Sequence, residues 1–470
     1  MQRNIQAYLN AYTDAASLAF YRLAFGIMMF LGMLRFALNG WIDKFYIKPV
    51  FHFTYYGFSW VKPFGVYTYL LFIVCAVSAL MVAFGYKYRL GIILFFLSFT
   101  YIELMDKTTY LNHYYFISVV SFVMMFLPAN AFFSVDAHKD PKLFRNTVPR
   151  YTVDVLKILL GIVYFYAGIA KLNSDWLLHA QPLRIWLPAN AHLPVIGPLM
   201  GKEWAAYAFS YIGTVYDLSI PFLLLNKRTR WFAFILVVVF HVLTRILFPI
   251  GIFPFVMIVS TLIFFSGDFH RKVLNSLKFQ VSGFRFNTPL APLKRGTTSL
   301  EPTVKEPTTD NRQPATNNLK AAFLALIIII QLLFPFRYLC YPGELFWTEE
   351  GFRLSWRVML MEKAGYAQFS VSDPKTHTFA VVDNSKFLTR FQEKQMAFQP
   401  DFILEYAHFL HNYYKKQGMA DPEVRVKSYV TLNGRLSRPY IDPNVNLAKQ
   451  DESFRHKTWI LPFNDTIKGF

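Results

Sequence analysis

The feature that most limits this fold is a series of apolar runs. Residues 15–38, "AASLAFYRLAFGIMMFLGMLRFAL", carry only Arg22 and Arg35 as charges. An α-helix needs about 20 apolar residues to cross a hydrocarbon core roughly 30 Å thick. Comparable runs follow at 66–85, 90–105, 114–132, 152–171, 204–225, 231–249, 252–266 and 320–337, with the third and eighth short. Lipid cannot hydrogen-bond an exposed backbone, so such runs must be helical. The expectation is a polytopic α-helical membrane protein of about nine transmembrane helices with a C-terminal α+β domain outside the membrane. Composition agrees: 54% of residues are hydrophobic and only 16% charged, against about a quarter charged in soluble domains.

Residues 1–14 are polar and precede a run long enough to span, so no cleavable signal peptide is expected. The net charge of +19 is spread over loops, and no nucleic-acid partner is expected. Cys75 and Cys340 cannot make a disulfide framework or a metal site. With the N-terminus inside, the inner loops hold Lys87 and Arg89, then Lys139, Lys142, Arg145 and Arg150, then Lys227, Arg228 and Arg230, and the stretch Arg271 to Lys320. The positive-inside rule favours that orientation, with everything after Arg337 outside.

The chain divides into a transmembrane domain over 1–273, a linker over 274–319, a last span over 320–337 and an outer domain over 338–470. The linker's "TTSLEPTVKEPTTDNRQPATNN" has no apolar periodicity, and its composition is that of a disordered segment. Residues 180–203 carry four prolines and read as irregular chain at the outer membrane face. In the outer domain, "RLSWRVMLM", "AQFSVS" and "HTFAVVD" alternate as strands do. Asn433-Gly434 marks a hairpin. "PDFILEYAHFLHNYYKKQ" is an amphipathic helix starting near Pro400.

No GxGxxG, P-loop or GxSxG pattern is present. His408 and His411 lack a third histidine at ligand spacing, and no metal is expected. Polar residues at membrane depth remain, and these are functional candidates by default. Lys171 ends the fifth run, and His113 opens the fourth. His241 lies mid-run in the seventh, with Arg245 one turn later, and Asp217 lies within the sixth. On position alone, Lys171 is either a snorkelling anchor above Trp176 or a base. His113 is an interfacial histidine or a site residue. Asp217 pairs with a neighbouring base or serves packing, and Arg22 snorkels inward.

Several stretches resemble, in order, the vitamin K-dependent gamma-glutamyl carboxylases, whose membrane module is the HTTM domain. They are "DKTTYLNHYYFISVVSFVMMFLPANAFFSVD", "IVYFYAGIAKLNSDW", "YDLSIPFLLL", "FHVLTRILFPIGIFPFVM", "FWTEEGFRLSWRVML" and "LNGRLSRPYIDP". The resemblance implies a carboxylase of the carbon–carbon lyase type. It would add CO2 to the γ-carbon of a glutamyl residue in a peptide or protein. Its cofactor would be reduced vitamin K, a hydroquinone such as menaquinol, with O2 and CO2 as co-substrates and epoxidation coupled to carboxylation.

On this likeness, Lys171 is the base that deprotonates the hydroquinone. A free lysine, with a pKa near 10.4, must be partly dehydrated and neutral to do so. On the same likeness His113, in the Asn112–His113 pair, would hydrogen-bond the cofactor or help orient CO2 or a proton. His241, Asn112, Tyr164 and Arg245 fall on the cofactor side, and Trp347, Phe352, Trp356 and Arg357 on the substrate side. The site would be a single apolar pocket joining Lys171 and His113. Ala170 stands where some members have a second lysine, and the sequence given stops soon after "WILPF", which puts propeptide docking in question. The compact length suits a bacterial inner-membrane protein with a periplasmic outer domain. Two rivals stay open: a quinone epoxidase that carboxylates no peptide, and a non-catalytic membrane binding protein.

Overall fold

The computed structural model of the chain describes residues 2–280 and 318–469. The apolar runs form α1 (Ala16–Leu38), α2 (Thr68–Phe84), α3 (Tyr88–Leu104), α4 (Asn112–Met124), α5 (Tyr151–Ile169), α6 (Glu203–Leu225), α7 (Arg230–Leu247), α8 (Phe253–Thr261), α9 (Gly267–Gln280) and α10 (Asn318–Leu333). Among the described residues, α1, α2, α5, α6, α7 and α10 belong to the six helices long and apolar enough to cross a bilayer. The α8 segment and α9 make a seventh candidate only as a pair bent by 116°.

The expected count of nine is not confirmed among the described residues, because α3 and α4 are short for a span. α3 has 17 residues and α4 has 13. At 1.5 Å per residue, α4 covers about 20 Å, less than a bilayer core. Its run was read through to residue 132, but the chain turns after Met124 and meets Pro128, which has no N–H for a helix. Helix α9 also extends through the first residues of the segment read as linker. Residues 281–317, the rest of that reading, lie outside the described residues.

The helices run between two ends of a bundle. At one end, β1 (Tyr12–Asp14) pairs antiparallel with β2 (Thr147–Pro149). Asp136 there accepts the backbone N–H groups of Lys87 (2.7 Å) and Tyr88 (2.9 Å), and Arg271 grips Asp14 at 2.7 Å. Arg22 does not snorkel. It is fully buried and donates to the Phe133 carbonyl at 2.5 Å. Gly85, at φ +62°, leaves it room, since a Cβ there would lie 1.6 Å from Arg22 Nη1.

At the other end sits the α+β domain. Its antiparallel sheet has β3 (Lys363–Asp373), β4 (Thr378–Val381), β5 (Glu423–Leu432) and β6 (Arg438–Pro439) in the order β4-β3-β5-β6. Alternation buries Ala367, Phe369 and Val371 beside Val424, Val426 and Val430. Helix α11 (Pro400–Lys416) contributes Phe402, Ile403, Tyr406 and Leu410 to the same core. Asn433 and Gly434 both take positive φ, +50° and +78°, as a primed hairpin turn demands. The strand expected over 353–361 does not form. Leu354, Trp356 and Met359 have φ of +59°, +59° and +53°, which breaks the extended alternation. Residues 180–203 are short helical turns, as their prolines implied. His408 Nε2 meets the Gln450 carbonyl at 2.8 Å, and His411 Nδ1 meets that of Pro422 at 2.7 Å.

The two domains are locked by buried polar contacts. Lys107 Nζ lies 3.1 Å from Asp401 and 2.9 Å from Glu405. Glu405 also accepts from Thr54 N and Oγ1, both at 2.7 Å. Asp106 accepts from Gln392 Nε2 at 3.2 Å and from Thr108 N at 2.9 Å. Burial pushes the Asp106 carboxyl up to about 7. An unfolded aspartate titrates near 3.9, so the native chain holds a proton that the unfolded chain releases. This contribution is complete below about pH 4 and declines as pH rises to about 7. The thermal midpoint of the wild type, minus that of Asp106→Asn, should therefore fall between pH 5 and pH 7. A difference that stays flat across that range would show that burial does not raise this carboxyl.

Candidate active site

The stretch opening "AGIAKLNSDW" folds as a helix end followed by a capped turn. α5 stops at Ile169, and Lys171 Nζ donates back one turn to the Ala167 carbonyl at 3.1 Å. Asn173 caps the short helix Ser174–Leu178 by accepting from Trp176 N at 2.9 Å, and its Nδ2 donates to the Ala170 carbonyl at 2.8 Å. The indole N–H of Trp176 reaches the Ser210 carbonyl (3.0 Å) and Thr214 Oγ1 (3.1 Å) on α6. That fixes the ring, whose centroid lies 5.3 Å from Lys171 Nζ.

Lys171 is not a snorkelling anchor. Its residue is 6% exposed, and Nζ makes a 2.6 Å ion pair with Asp217 of α6. Asp217, expected to pair with a neighbouring base or to serve packing, is itself buried and makes this contact through Oδ2. Its signal was present, an aspartate inside an apolar run, but its partner lies 46 positions away. The contact gives Lys171 a carboxylate partner.

Both side chains line a cavity of about 90 Å³ with Tyr164, Trp176, His241 and Phe253. Tyr164 Oη and His241 Nε2 are 3.0 Å apart, while His241 Nδ1 is buried with no hydrogen-bond partner among the described residues. The lining is aromatic and aliphatic except at Thr244 and at the Lys171–Asp217 and Tyr164–His241 pairs. An apolar pocket with a few convergent polar groups suits a flat hydrophobic ring carrying oxygen functions. The volume is below the roughly 300 Å³ usual for such ligands, so a bicyclic ring would fit only if lining side chains swing aside.

Other expected site residues lie elsewhere. His113 is buried but does not line this cavity. Its ring sits 5.7 Å from that of Phe253, which is 5.6 Å from His241 on its other side. The expected single pocket joining Lys171 and His113 is thus divided by Phe253. His113 Nε2 is also buried without a hydrogen-bond partner among the described residues. Asn112 turns away: its Nδ2 donates to the Arg357 carbonyl at 2.8 Å and its Oδ1 accepts from Tyr110 Oη at 2.9 Å. Arg245 is exposed and does not line the cavity.

The four substrate-side residues do not share one surface. Trp347 is buried on Tyr440 and donates to the Leu461 carbonyl at 2.7 Å. Phe352 packs on Phe346. Trp356 is buried against Tyr115. Arg357 lies over the Tyr338 ring at 4.6 Å. Their stretch reaches the cavity instead through Val358 and Met359.

Two motifs far apart in sequence meet at this site. Asp175, 1% exposed, accepts from Arg435 Nη1 (2.6 Å), Arg435 Nη2 (2.7 Å) and Asn433 Nδ2 (2.7 Å) of the outer-domain hairpin. The bidentate fork holds the Lys171 turn against the outer domain. Arg435→Ala strands a buried carboxylate, which costs about 3–5 kcal/mol. We expect a lower thermal midpoint and a loss of activity, and Asp175→Asn/Arg435→Gln should recover part of the stability. An unchanged midpoint in Arg435→Ala would remove the clamp.

Among the described residues, no cluster of three or more His, Cys, Asp or Glu side chains could hold a metal ion. No solved structure matches the chain. Residues 10–269 match the family model of the HTTM domain, and residues 316–466 match that of the vitamin K-dependent gamma-carboxylase lumenal domain. The two matches cover the membrane bundle and the outer domain in the order the sequence motifs run, and the chain belongs to the vitamin K-dependent gamma-glutamyl carboxylase family.

Proposed function

We propose that this integral membrane protein carboxylates glutamyl side chains of a peptide or protein, with reduced vitamin K as cofactor and O2 and CO2 as co-substrates. The observation that carries this reading is the buried Lys171–Asp217 pair at 2.6 Å in the wall of an apolar cavity. The γ C–H of glutamate is too weak an acid for any side chain, and the bound quinol with O2 supplies the strong base that the protein lacks. Trp176 and Phe253 would hold its ring, and Tyr164 with His241 its oxygen functions.

The chain's own part is proton handling. In the charged form of the pair, Lys171 Nζ already carries its full set of protons. It can accept another only by passing one across the 2.6 Å contact to Asp217 Oδ2. The base is therefore the pair, with Lys171 facing the cavity and Asp217 as the terminal acceptor. Burial keeps water from competing for that proton. His113 gains access to the cavity when Phe253 moves, the same motion that makes room for a ring. The N-terminus would be cytoplasmic and the outer domain periplasmic or lumenal, because the basic loops gather at the end away from that domain.

The test incubates the purified full chain with a glutamyl peptide, the hydroquinone and labelled bicarbonate. Label should enter the peptide only when the hydroquinone is present. The burial of Trp347, Trp356 and Arg357 favours a second reading, epoxidation without peptide carboxylation. Epoxide formed at the same rate with and without peptide, and no label in peptide, would establish that reading and end the first.

A further inference from the structure

A second and larger cavity, of about 700 Å³, opens between the bundle and the outer domain. Its lower wall is apolar, with Phe96 of α3, Phe122 of α4, and Ile327 and Ile330 of α10. Ile330 and Phe334 are 48% and 38% exposed on the helix surface, so this wall borders the lipid. Its roof is polar and belongs to the outer domain. The cavity is thus amphipathic in the same direction as a membrane leaflet, and its volume is in the range of bound organic ligands.

The charges around it do not all cancel. Lys107 and Arg353 are both paired with Asp401, at 3.1 and 2.7 Å, and Lys457 lies 3.8 Å from Glu350. Two groups of opposite sign have no ion pair among the described residues. Glu103, 8% exposed near the end of α3, receives only the Ser118 hydroxyl, at 2.6 Å. Arg337 donates only to backbone carbonyls, those of Phe334 at 3.2 Å and of Arg353. Tyr55, also in the lining, has a buried hydroxyl without a partner. A buried carboxyl avoids that cost by staying protonated; a ligand cation would favour its ionised form, and a ligand anion would pair with the guanidinium.

We infer that this cavity binds a zwitterionic phospholipid with a primary ammonium in its headgroup. Its phosphate would pair with Arg337, its ammonium with Glu103, and an acyl chain would lie along Phe96, Phe122 and Ile327. The site is distinct from the Lys171 cavity, and the inference does not depend on the reaction proposed there. A primary ammonium is favoured over a quaternary one because it can donate hydrogen bonds to the carboxylate.

The test purifies the full chain in mild detergent, extracts the retained lipid and quantifies it by mass spectrometry. Three variants accompany the wild type: Glu103→Gln, Arg337→Gln and the cavity-filling Val119→Trp. The wild type should retain ethanolamine phospholipid enriched over the bulk membrane, ahead of choline and glycerol phospholipids. Glu103→Gln should lower the preference for ethanolamine about tenfold, the loss expected for one charge-assisted hydrogen bond. Arg337→Gln should lower retention of every phospholipid, and Val119→Trp should abolish it. Lipid of bulk composition, a prenyl quinone in its place, or equal retention by the wild type and both charge variants would overturn the inference. The two charge variants decide the matter even if Val119→Trp fails to fold.

Discussion

Lys171→Ala should lose carboxylation and epoxidation together, by about 10²–10⁴-fold, the range for removal of a general base. Both activities fall because the lysine acts before the two products diverge. The variant also leaves Asp217 buried without its cation, so its thermal midpoint must be measured alongside. Lys171→Arg is the informative companion. It keeps the positive charge and can keep the ion pair, but a guanidinium does not give up a proton at accessible pH. We expect Lys171→Arg to fold with a midpoint near that of the wild type and to remain as inactive as Lys171→Ala. Activity within a few-fold of wild type in Lys171→Arg would reduce Lys171 to a structural cation.

Asp217→Asn tests whether the base is the pair. The amide is nearly isosteric and can accept a hydrogen bond from Nζ, but it cannot accept a proton. We expect activity to fall about 100-fold or more, with the loss in kcat rather than KM if the cavity keeps its shape. Removing one partner of a buried pair costs about 3–5 kcal/mol, so a lower thermal midpoint is expected too. The decisive comparison is the double variant. If Lys171 and Asp217 act as one unit, Lys171→Ala/Asp217→Asn should be no less active than Lys171→Ala alone. Multiplicative losses would mean that the two residues act separately.

Much of the architecture was legible in the sequence. Run length identified the membrane helices, since a helix has one way to satisfy its backbone in lipid. Pro400 and the 3.6-residue period placed α11, and Asn433-Gly434 placed the hairpin, because few residues tolerate positive φ. Lys171, Tyr164 and His241, all candidates from the sequence, share one cavity. The count of spans was less secure, because apolar composition continues past the helix end at Met124, where the chain turns toward Pro128. The stretch 353–361 alternates like a strand, but left-handed residues fold it into a loop that reaches the cavity through Val358 and Met359.

The sequence by itself determined the solvent of each segment and the kind of side chain at each depth. Both follow from local chemistry: the cost of exposing a backbone to lipid and the periodicity of apolar residues. Only the tertiary structure decided which charges meet. Lys171 lies in the turn after α5 and Asp217 within α6, and Asp175 and Arg435 lie in separate domains. His113 lies across Phe253 from the cavity, and Arg245 faces outward. Pair energies depend steeply on distance and local dielectric, and neither exists until the helices pack. For that reason the sequence could offer Lys171 as an anchor or a base, and only the fold shows it buried in a pair with Asp217.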